Sequence, residues 1–383
     1  MQIGLVKRTF RLQGGGERQV AYLIEGLLAR GHQVHLLTQQ PPAGRPVQGL
    51  SWQRVPACPL PPALRALSFA LGVRASIRRA GLALVQSFDR TLGQHIYRAG
   101  EGVHREWLAR KRSTLRPLAR GWSYVRPVDR VILALERRIF TRTPTIITNS
   151  LQAKHDIMRH YGTQASRMTV IYNGVDHERF HPGVRARFRA HQRAAWGVSA
   201  AEVVLLTVGS GFHRKGLGYL VQALGELRKH GILHVRAVVV GKGRIGRYQR
   251  LAAKLGVADW VRFTGLSPEV ERYYAAADVF VLPTLYDPFA NACLEAMACG
   301  VPVLTSEANG AAELLQDGVN GCVLKHPLRP EGLVESLRSL LPEERRRMLA
   351  EAGYRTACEY PLAHALDQTL RLYESVVGRP GYT

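Results

Sequence analysis

The sequence predicts an α/β protein built from two parallel-sheet halves. Two observations lead to this prediction: apolar, β-branched runs of strand length recur along the chain, and helical patterns separate them. Strands that are buried on both faces of a parallel sheet have this continuous apolar character, and such strands usually alternate with helices. The chain has 383 residues, 46% of them hydrophobic, which is enough for two domains of ordinary size.

Each half has its own series of strands. The predicted strands of the first half cover residues 2–6, 32–38, 82–88, 145–150 and 168–174. Those of the second half cover residues 203–209, 235–241, 260–265, 278–284 and 302–306. Residues 175–202 are charged, non-periodic and interrupted by Pro and Gly, which indicates a linker. We therefore predict an N-terminal domain over residues 1–178 and a C-terminal domain over residues 179–365.

Net charge is the unusual feature of the composition. The chain has 53 Lys and Arg residues against 29 Asp and Glu, a formal net charge of +24. Residues 101–142 contain eleven of these cations and four acids, and residues 63–80 form a shorter basic, amphipathic stretch. This charge indicates a polyanionic partner, whether an anionic membrane surface, a phosphorylated substrate or nucleic acid. A solvated helix face that binds nothing is also compatible, and nucleic acid is disfavoured because no recognised nucleic-acid motif accompanies the charge.

The apolar segments and the cysteines indicate the compartment. No stretch approaches the roughly 18 consecutive apolar residues of a membrane-spanning helix, and the first residues form a strand pattern without a secretory hydrophobic region. We therefore expect a cytoplasmic protein. Five cysteines form no CxxC motif, so packed, reduced thiols are expected rather than disulfides or a zinc site.

The residues that follow each strand are candidate site residues, because ligands of open parallel sheets bind beyond the carboxyl ends of the strands. After the first strand, Gly14, Gly15 and Gly16 precede a helix that has Glu17 in its first turn. Such glycines let a phosphate or a sugar approach the free N–H groups of the helix. A plain glycine turn would have the same sequence, so this motif is weak by itself.

A second glycine loop follows the strand at residues 203–209. Gly209 and Gly211 open it, and Arg214 and Lys215 stand together just before a helix. Cations at a helix N-terminus oppose the helix dipole, which is unfavourable unless an anion is bound there. The two cations therefore predict a binding site for a diphosphate.

Two carboxylates follow the strand at residues 278–284. Asp287 lies in a Pro-containing loop, and Glu295 lies eight residues later in an apolar helix that begins near Asn291. A Glu is almost never buried without a partner. Glu295 is therefore expected either to point out of the helix or to hold a ligand.

These motifs, in this order, resemble the family 4 retaining glycosyltransferases of the GT-B fold. The likeness covers nearly the whole chain and is carried by NGVD (173–176), GSGFHRKG (209–216), the segment from GKGR to RFTG (241–265), and Asp287 and Glu295 followed by AMACGVPVLTS. Within the family, GGGERQ near the N-terminus and residues 93–108 resemble the bacterial enzymes that add the first glucose to the heptose region of lipopolysaccharide core.

The resemblance implies an architecture. It consists of two Rossmann-like parallel-sheet domains that face each other across a cleft. The N-terminal domain would bind the acceptor and the C-terminal domain would bind the nucleotide-sugar. A C-terminal helix over residues 366–383 is expected to cross back to the N-terminal domain.

For the donor site, the resemblance implies that Glu295 binds the ribose hydroxyls of the nucleotide and that Asp287 lies near the donor sugar. A carboxylate can accept hydrogen bonds from two neighbouring hydroxyls, which fits the first role. The family usually has Glu where this chain has Asp287, so its reach toward the sugar is one methylene shorter. The other expected donor-binding residues are Gly15, Gly16, Gly209, Arg214, Lys215, Phe289, Ala290 and Asn291.

The implied reaction is a retaining transfer of a hexose, with glucose favoured, from a UDP-sugar that serves as co-substrate. Arg214 and Lys215 would stabilise the negative charge that develops on the leaving diphosphate, and Asp287 completes this catalytic group. No DxD motif occurs in the chain. A reaction that needs neither a metal ion nor a cofactor is therefore expected.

The acceptor side is expected to include an acid. Relatives carry one after a YxAx-type segment, and YRAGE supplies Glu101 as the catalytic candidate. Glu17, His104 and Arg105 are expected to contact the acceptor. Exposed loop residues without a role are the alternative for Glu101 and His104, and Gln19 stands where those relatives carry an acid.

The resemblance also implies a role for the two basic stretches. A lipid-linked, phosphorylated glycan acceptor lies on the anionic inner leaflet, so peripheral attachment to the cytoplasmic face of the inner membrane is expected. Three alternatives stay open. They are a transferase for another cell-surface glycan with a different nucleotide-sugar, a GT-B nucleotide-sugar epimerase that needs no acceptor, and a non-catalytic protein that binds nucleic acid or membrane.

Overall fold

The computed structural model describes residues 1–9, 15–40, 47–59, 61–114, 126–326 and 330–378. The chain forms two compact units, Met1–Asn173 together with Leu362–Thr383, and Gly174–Pro361. The first boundary predicted from the sequence lies between residues 178 and 179. Each unit contains an all-parallel sheet whose strands alternate with helices, which confirms the predicted α/β class.

The first unit contains a seven-stranded sheet in the order β3-β2-β1-β4-β5-β6-β7. All neighbouring strands are parallel, and β4, β5 and β6 are buried along their whole length. The strands are β1 (Gln2–Val6), β2 (Gln33–Thr38), β3 (Leu50–Arg54), β4 (Leu84–Ser87), β5 (Ile96–Arg98), β6 (Thr145–Thr148) and β7 (Met168–Val170). The helices between them are α1 (Gly15–Ala29), α2 (Pro62–Ala80), α3 (His104–Ser113), α4 (Pro127–Arg142) and α5 (Leu151–Tyr161).

The second unit contains a six-stranded sheet in the order β10-β9-β8-β11-β12-β13, again with parallel neighbours only. Its strands are β8 (Val203–Val208), β9 (Val235–Val240), β10 (Val261–Gly265), β11 (Val279–Leu282), β12 (Val303–Ser306) and β13 (Cys322–Leu324). Its helices are α6 (Gly183–Trp196), α7 (Leu217–Lys229), α8 (Ile245–Lys254), α9 (Glu271–Ala276), α10 (Asn291–Ala298), α11 (Pro330–Ser339) and α12 (Glu343–Cys358). The core of this unit is a layer of apolar residues between β8, β9, β11 and the helices α7, α8 and α11.

Helix α6 corrects the prediction of a non-periodic linker. It lies within residues 175–202, and its buried residues are Val184, Arg193 and Trp196. Arg189 and Arg193 donate to the two oxygens of Asp278 at 2.5 and 2.9 Å, and both also donate to the carbonyl of Ala276 at the end of α9. Because one of its three buried positions is a paired arginine, the apolar periodicity of the helix is interrupted.

The last described helix, α13 (Leu362–Val377), belongs to the first unit. Leu366 packs against Gly26 of α1, where an added Cβ would lie 2.3 Å from its Cδ2. The hydroxyl of Tyr373, which is fully buried, donates to Gln86 Oε1 in β4 at 2.9 Å. Helix α13 therefore packs against α1 and β4 of the first unit.

Both sheets have a point where the strand order reverses. In the first unit this point lies between β1 and β4, and in the second it lies between β8 and β11. In open parallel sheets the loops at such a point diverge and leave a crevice beyond the carboxyl ends of the strands. The candidate site residues follow these strands in both units.

Candidate active site

Three loops meet at the carboxyl edge of the second sheet. Residues 209–216 follow β8, residues 283–290 follow β11, and residues 307–310 follow β12. The carbonyl of Arg214 accepts a hydrogen bond from the Thr284 hydroxyl and another from the Leu285 amide, each at 2.8 Å. These bonds fix the loop after β8 to the loop after β11.

Asp287 and Lys215 form a buried ion pair between these loops. Lys215 Nζ donates to Asp287 Oδ2 at 2.6 Å, and each side chain is less than a tenth exposed. Burial alone would raise the pKa of Asp287, but the nearby Lys215 and Arg214 cations lower it below its ordinary value. Asp287 Oδ1 also accepts from the Phe289 amide at 3.3 Å. The carboxylate is therefore ionised at neutral pH and holds the ammonium in place.

Arg214 is the more accessible of the two cations. Its guanidinium lies 3.4 Å from Asp287 Oδ2, and its side chain is 34% exposed, compared with 9% for Lys215. Part of its positive charge is therefore available to a bound anion. A diphosphate at this edge would meet Arg214 from solvent and Lys215 from the protein side.

Two glycines allow this close packing of the loops. Gly216 has a φ of 75°, and a Cβ at this position would lie 1.8 Å from the carbonyl oxygen of Pro283. A Cβ on Gly209 would lie 2.9 Å from Lys215 Cε. The glycines of this motif therefore position Lys215 as well as leaving the backbone open to a ligand.

Asn309 ties the loop after β12 to the start of α10. Its Oδ1 accepts from the amides of Ala290 and Ala311 at 3.0 and 3.2 Å. Its Nδ2 donates to Thr305 Oγ1 at 3.0 Å and to Cys293 Sγ at 3.3 Å. The segment around Ala290 is therefore held in a defined position at the N-terminus of α10.

Glu295 has a partner that the sequence analysis does not name. The hydroxyl of Tyr274, in α9, donates to Glu295 Oε2 at 2.8 Å and to the carbonyl of Ala292 at 3.3 Å. Burial and the Glu295 carboxylate both raise the pKa of Tyr274, so its hydroxyl keeps its proton. The bond orients one oxygen of Glu295 from inside the unit. No spacing signal could have revealed Tyr274, because it lies 21 residues before Glu295 in a different helix.

The second unit thus gathers most of the predicted donor residues at one edge of its sheet. These are Gly209, Arg214, Lys215, Phe289, Ala290, Asn291 and Glu295, together with the catalytic candidate Asp287. Gly15, Gly16 and Glu17 belong to the first unit, where they form the first turn of α1, so Gly15 and Gly16 lie within the helix that they were predicted to precede. Gly14 lies outside the described residues. The side chain of Glu17 lies outside the described residues.

Glu101 lies beyond β5 in the first unit, beside cations that follow β1 and β4. Its carboxylate accepts a hydrogen bond from Arg90, and its side chain is 53% exposed. Burial alone would raise the pKa of Glu101. The nearby Arg90, Lys7 and Arg8 cations outweigh this effect, so the pKa lies below its ordinary value. The predicted acid is therefore an ionised carboxylate that solvent can reach.

His104 and Arg105 are the first two residues of α3. The ring of His104 is 14% exposed, and its Nε2 lies 3.0 Å from Asp129 Oδ1. Burial and the neighbouring Arg90 lower the pKa of His104, so the ring is neutral at neutral pH. Arg105 Nη1 lies 3.5 Å from the carbonyl of His160. His104 is therefore partly buried, and Arg105 is more exposed to solvent.

The described part of the chain shows neither a metal-binding cluster nor a membrane-spanning helix. No group of three or more His, Cys, Asp or Glu side chains is arranged to hold a metal ion among those residues. Over the same residues, every helix is too short or too polar to span a bilayer.

Two family descriptions match the chain, one for each unit. Residues 13–179 match "Glycosyltransferase Family 4", and residues 188–356 match "Glycosyl transferases group 1". A D-inositol 3-phosphate glycosyltransferase of Xylanimonas cellulosilytica is 30% identical over 384 residues, which cover 90% of this chain and 87% of that protein. The chain is a family 4 glycosyltransferase.

Other glycosyltransferases show how far the similarity extends. The lipopolysaccharide glucosyltransferase WaaG of Escherichia coli is 27% identical over 337 residues, which cover 88% of each chain. An uncharacterized glycosyltransferase of Methanocaldococcus jannaschii is 29% identical over 249 residues, and the matched region spans 60% of that protein. The narrower likeness to lipopolysaccharide core glucosyltransferases is confirmed at this level of identity.

Solved structures show the fold of this family 4 glycosyltransferase. The crystal structure of WaaG has a TM-score of 0.83 and 25% sequence identity, with 97% of this chain and 99% of that chain covered. Anabaena HepE in complex with UDP-glucose has a TM-score of 0.76 and 18% identity, with 98% and 100% covered. The predicted GT-B fold, with two Rossmann-like parallel-sheet units, is confirmed.

Proposed function

We propose that this glycosyltransferase moves a hexose, glucose in the first instance, from a UDP-sugar to the heptose region of lipopolysaccharide core. The observation that carries the proposal is the similarity to WaaG over nearly the full length of both chains. A protein of the same fold holds UDP-glucose, which supports the choice of UDP as the nucleotide.

The donor site supplies charge where the reaction needs it. Cleavage of the bond between the sugar and the diphosphate leaves negative charge on the diphosphate and positive character on the sugar carbon. Arg214 and Lys215 stabilise the diphosphate, and Asp287 holds Lys215 in place and lies near the sugar. Glu295 accepts hydrogen bonds from the ribose hydroxyls while Tyr274 orients it.

The same cations make a metal ion unnecessary in this proposal. Family 4 chemistry would then proceed with retention of configuration by attack on the front face of the sugar. In that step the bond between the sugar carbon and the phosphate oxygen breaks, the new bond to the acceptor oxygen forms on the same face, and the acceptor proton moves to the leaving phosphate oxygen. Glu101 is the acid that we assign to the sugar from the first unit, and Glu17, His104 and Arg105 are assigned to the acceptor.

Membrane attachment completes the proposal. The first unit contains 29 Lys and Arg residues against 10 Asp and Glu, whereas the second contains 24 against 19. Helix α2 has four arginines and no acidic residue, and its outward face exposes Leu64, Leu67 and Leu71 by 51%, 38% and 49%. A helix with exposed leucines and flanking cations fits the interface of an anionic lipid surface. The protein would then act peripherally at the cytoplasmic face of the inner membrane on a lipid-linked, phosphorylated acceptor.

A second candidate acceptor is a soluble inositol phosphate. The Xylanimonas relative is named as a D-inositol 3-phosphate glycosyltransferase and matches 90% of this chain. The same donor site would serve that reaction, because the two functions differ in the acceptor alone.

A transfer assay tests the proposal. Purified protein is incubated with UDP-glucose, UDP-galactose or UDP-N-acetylglucosamine, and with either lipopolysaccharide that ends at the heptose region or D-inositol 3-phosphate. We expect an α-linked hexosyl product on the lipopolysaccharide by NMR, with an unchanged rate in EDTA. Transfer to the inositol phosphate alone would favour the second candidate. A sugar isomer formed without acceptor would identify an epimerase and contradict the proposal.

A further inference from the structure

A fully buried carboxylate connects three segments of the first unit. Glu136 of α4 is 0% exposed, and its Oε1 accepts from the His104 amide at 2.6 Å and from Arg90 Nε and Nη2 at 3.1 and 2.9 Å. Its Oε2 accepts from the Tyr161 hydroxyl at 2.8 Å. Glu136 therefore joins the start of α3, the end of α5 and the loop that follows β4.

Arg90 extends this connection to the surface. Its guanidinium uses Nε and Nη2 on Glu136, while Nη1 donates to the Glu101 carboxylate and Nη2 donates to the Gly102 carbonyl at 3.2 Å. The side chain of Arg90 is 13% exposed, compared with 53% for Glu101. A planar, five-donor group can make these bonds simultaneously, whereas a lysine ammonium cannot span them.

We propose that Arg90 is a positioning residue that holds the Glu101 carboxylate in place beyond β5, with Glu136 as its buried anchor. The inference rests on the proposed function, in which Glu101 acts on the sugar. A half-exposed glutamate samples several rotamers, and fixing it before the substrate arrives removes that entropy from the reaction barrier. Arg90 also binds the backbone at Gly102, so the loop and the carboxylate are held by the same group.

The charges around the pair agree with this role. Arg90 lies between two carboxylates, and although burial alone would lower its pKa, Glu101 and Glu136 raise it. Lys7 and Arg8 add further positive charge near Glu101. The carboxylate stays ionised, and this suits a hydrogen-bond acceptor for sugar hydroxyls better than an acid that must donate a proton.

A double-mutant cycle on turnover tests the proposal. The variants are Arg90→Gln, Glu101→Gln and the double variant, measured for kcat and for KM of the UDP-sugar. We expect each single variant to lower kcat by roughly a hundredfold, the loss that a misplaced catalytic group can cause, with KM changed by less than about twofold. The double variant should lose no more than either single variant, because Arg90 acts through Glu101. The proposal would be overturned if the double variant lost kcat by the product of the two single losses, or if Arg90→Gln kept the full kcat of the parent protein.

Two further variants separate positioning from folding. Arg90→Lys keeps the charge but not the fork, so it should recover part of kcat while remaining below the parent protein. Arg30→Gln is the matched control, because Arg30 pairs with Asp367 at 2.6 Å on the surface of the same unit, and its kcat should be unchanged. An Arg30→Gln variant that loses as much kcat as Arg90→Gln would contradict the assignment.

A direct titration keeps the test independent of turnover. The pKa of the Glu101 carboxyl is measured by carbon NMR in the parent protein and in Arg90→Gln and Arg30→Gln. We expect an upward shift of about one unit or more in Arg90→Gln alone, since the nearest cation is lost. If the parent protein transfers no sugar, the proposed function fails while this titration still decides whether Arg90 holds the carboxylate. An unshifted pKa in Arg90→Gln would overturn the inference.

Discussion

Lys215 Nζ lies 2.6 Å from Asp287 Oδ2, and both side chains are buried at the carboxyl edge of the second sheet. A buried ion pair adds little net stability by itself, but removal of one partner leaves a buried charge without compensation. The pair therefore makes the integrity of the site depend on both residues. In the proposed function, the Lys215 ammonium also interacts with the diphosphate of the donor.

Replacement of Lys215 by Met should destabilise the protein because the Asp287 carboxylate would lose its main partner. We expect the free energy of unfolding in urea to fall by about 3 kcal/mol, the lower end for a broken buried pair, since Arg214 stays 3.4 Å away. Lys229→Met is the control. Its pair with Glu226 is exposed, so the loss there should stay below about 1 kcal/mol. Equal losses of unfolding free energy in the two variants would show that the buried Lys215–Asp287 pair matters no more to stability than the exposed Lys229–Glu226 pair.

Replacement of Arg214 by Gln should weaken the binding of UDP without affecting the binding of uridine. The guanidinium is partly exposed and faces the place assigned to the diphosphate, so its loss removes charge-assisted hydrogen bonds to phosphate alone. We expect the dissociation constant of UDP to rise by roughly tenfold or more in calorimetry. Lys229→Gln should leave it unchanged. If uridine and UDP weaken to the same degree in Arg214→Gln, Arg214 does not contact the diphosphate.

Asp156 should make stability fall as pH rises through the mildly acidic range. Burial and the nearby Glu106 raise its pKa to about 6, although Arg159 lies 2.6 Å from its Oδ1. The folded protein then holds a proton that the unfolded chain releases near pH 4, so stability declines between about pH 4 and 6. Asp156→Asn should remove this decline and stabilise the protein by roughly 3 kcal/mol at pH 7. Denaturant titrations at pH 4, 5, 6 and 7 measure the free energy of unfolding of the parent protein and of Asp156→Asn. The same dependence of this free energy on pH in the two proteins would contradict the assignment.

Helix α2 should bind anionic vesicles through its exposed leucines and its arginines. The triple variant Leu64→Ser, Leu67→Ser and Leu71→Ser should lose most binding to vesicles that contain phosphatidylglycerol, in sedimentation at 0.15 M salt. Binding of the parent protein should fall at 0.5 M salt, because screening weakens the attraction between arginines and headgroups. The control is Leu233→Ser with Leu266→Ser, two exposed leucines of the second unit. Binding that is insensitive to salt and to the α2 leucines would exclude this surface.

The sequence predicts ten of the thirteen described strands and misses β3, β5 and β13. The apolar runs locate β1, β8, β9 and β11, whose burial produces the pattern. Strand β3 is mostly exposed, and β5 and β13 have only three residues each, so none of them has an apolar run long enough to recognise. Helix α6 is missed because Arg193, one of its three buried residues, is paired with Asp278 and interrupts the apolar pattern.

The residues of the candidate site are also only partly predicted from the sequence. Glycine loops and adjacent charges point to Arg214, Lys215 and Asp287, since these residues follow strands directly. The sequence does not reveal that Lys215 and Asp287 pair with each other across 72 residues. Tyr274 and Arg90 are also missed, because their roles arise from tertiary contacts with Glu295 and Glu101 and leave no local spacing.

Binding of the nucleotide tests the central claim most directly. The thermal unfolding of the purified protein is followed with UDP, GDP and ADP, and then with UDP for Glu295→Ala and for the exposed control Glu226→Ala. A ligand at a hundredfold excess over its dissociation constant stabilises the folded state by roughly 2.7 kcal/mol, which is easily measured. The account predicts that UDP stabilises the parent protein and the control, and that Glu295→Ala abolishes the effect. An absence of stabilisation by all three nucleotides would contradict the account.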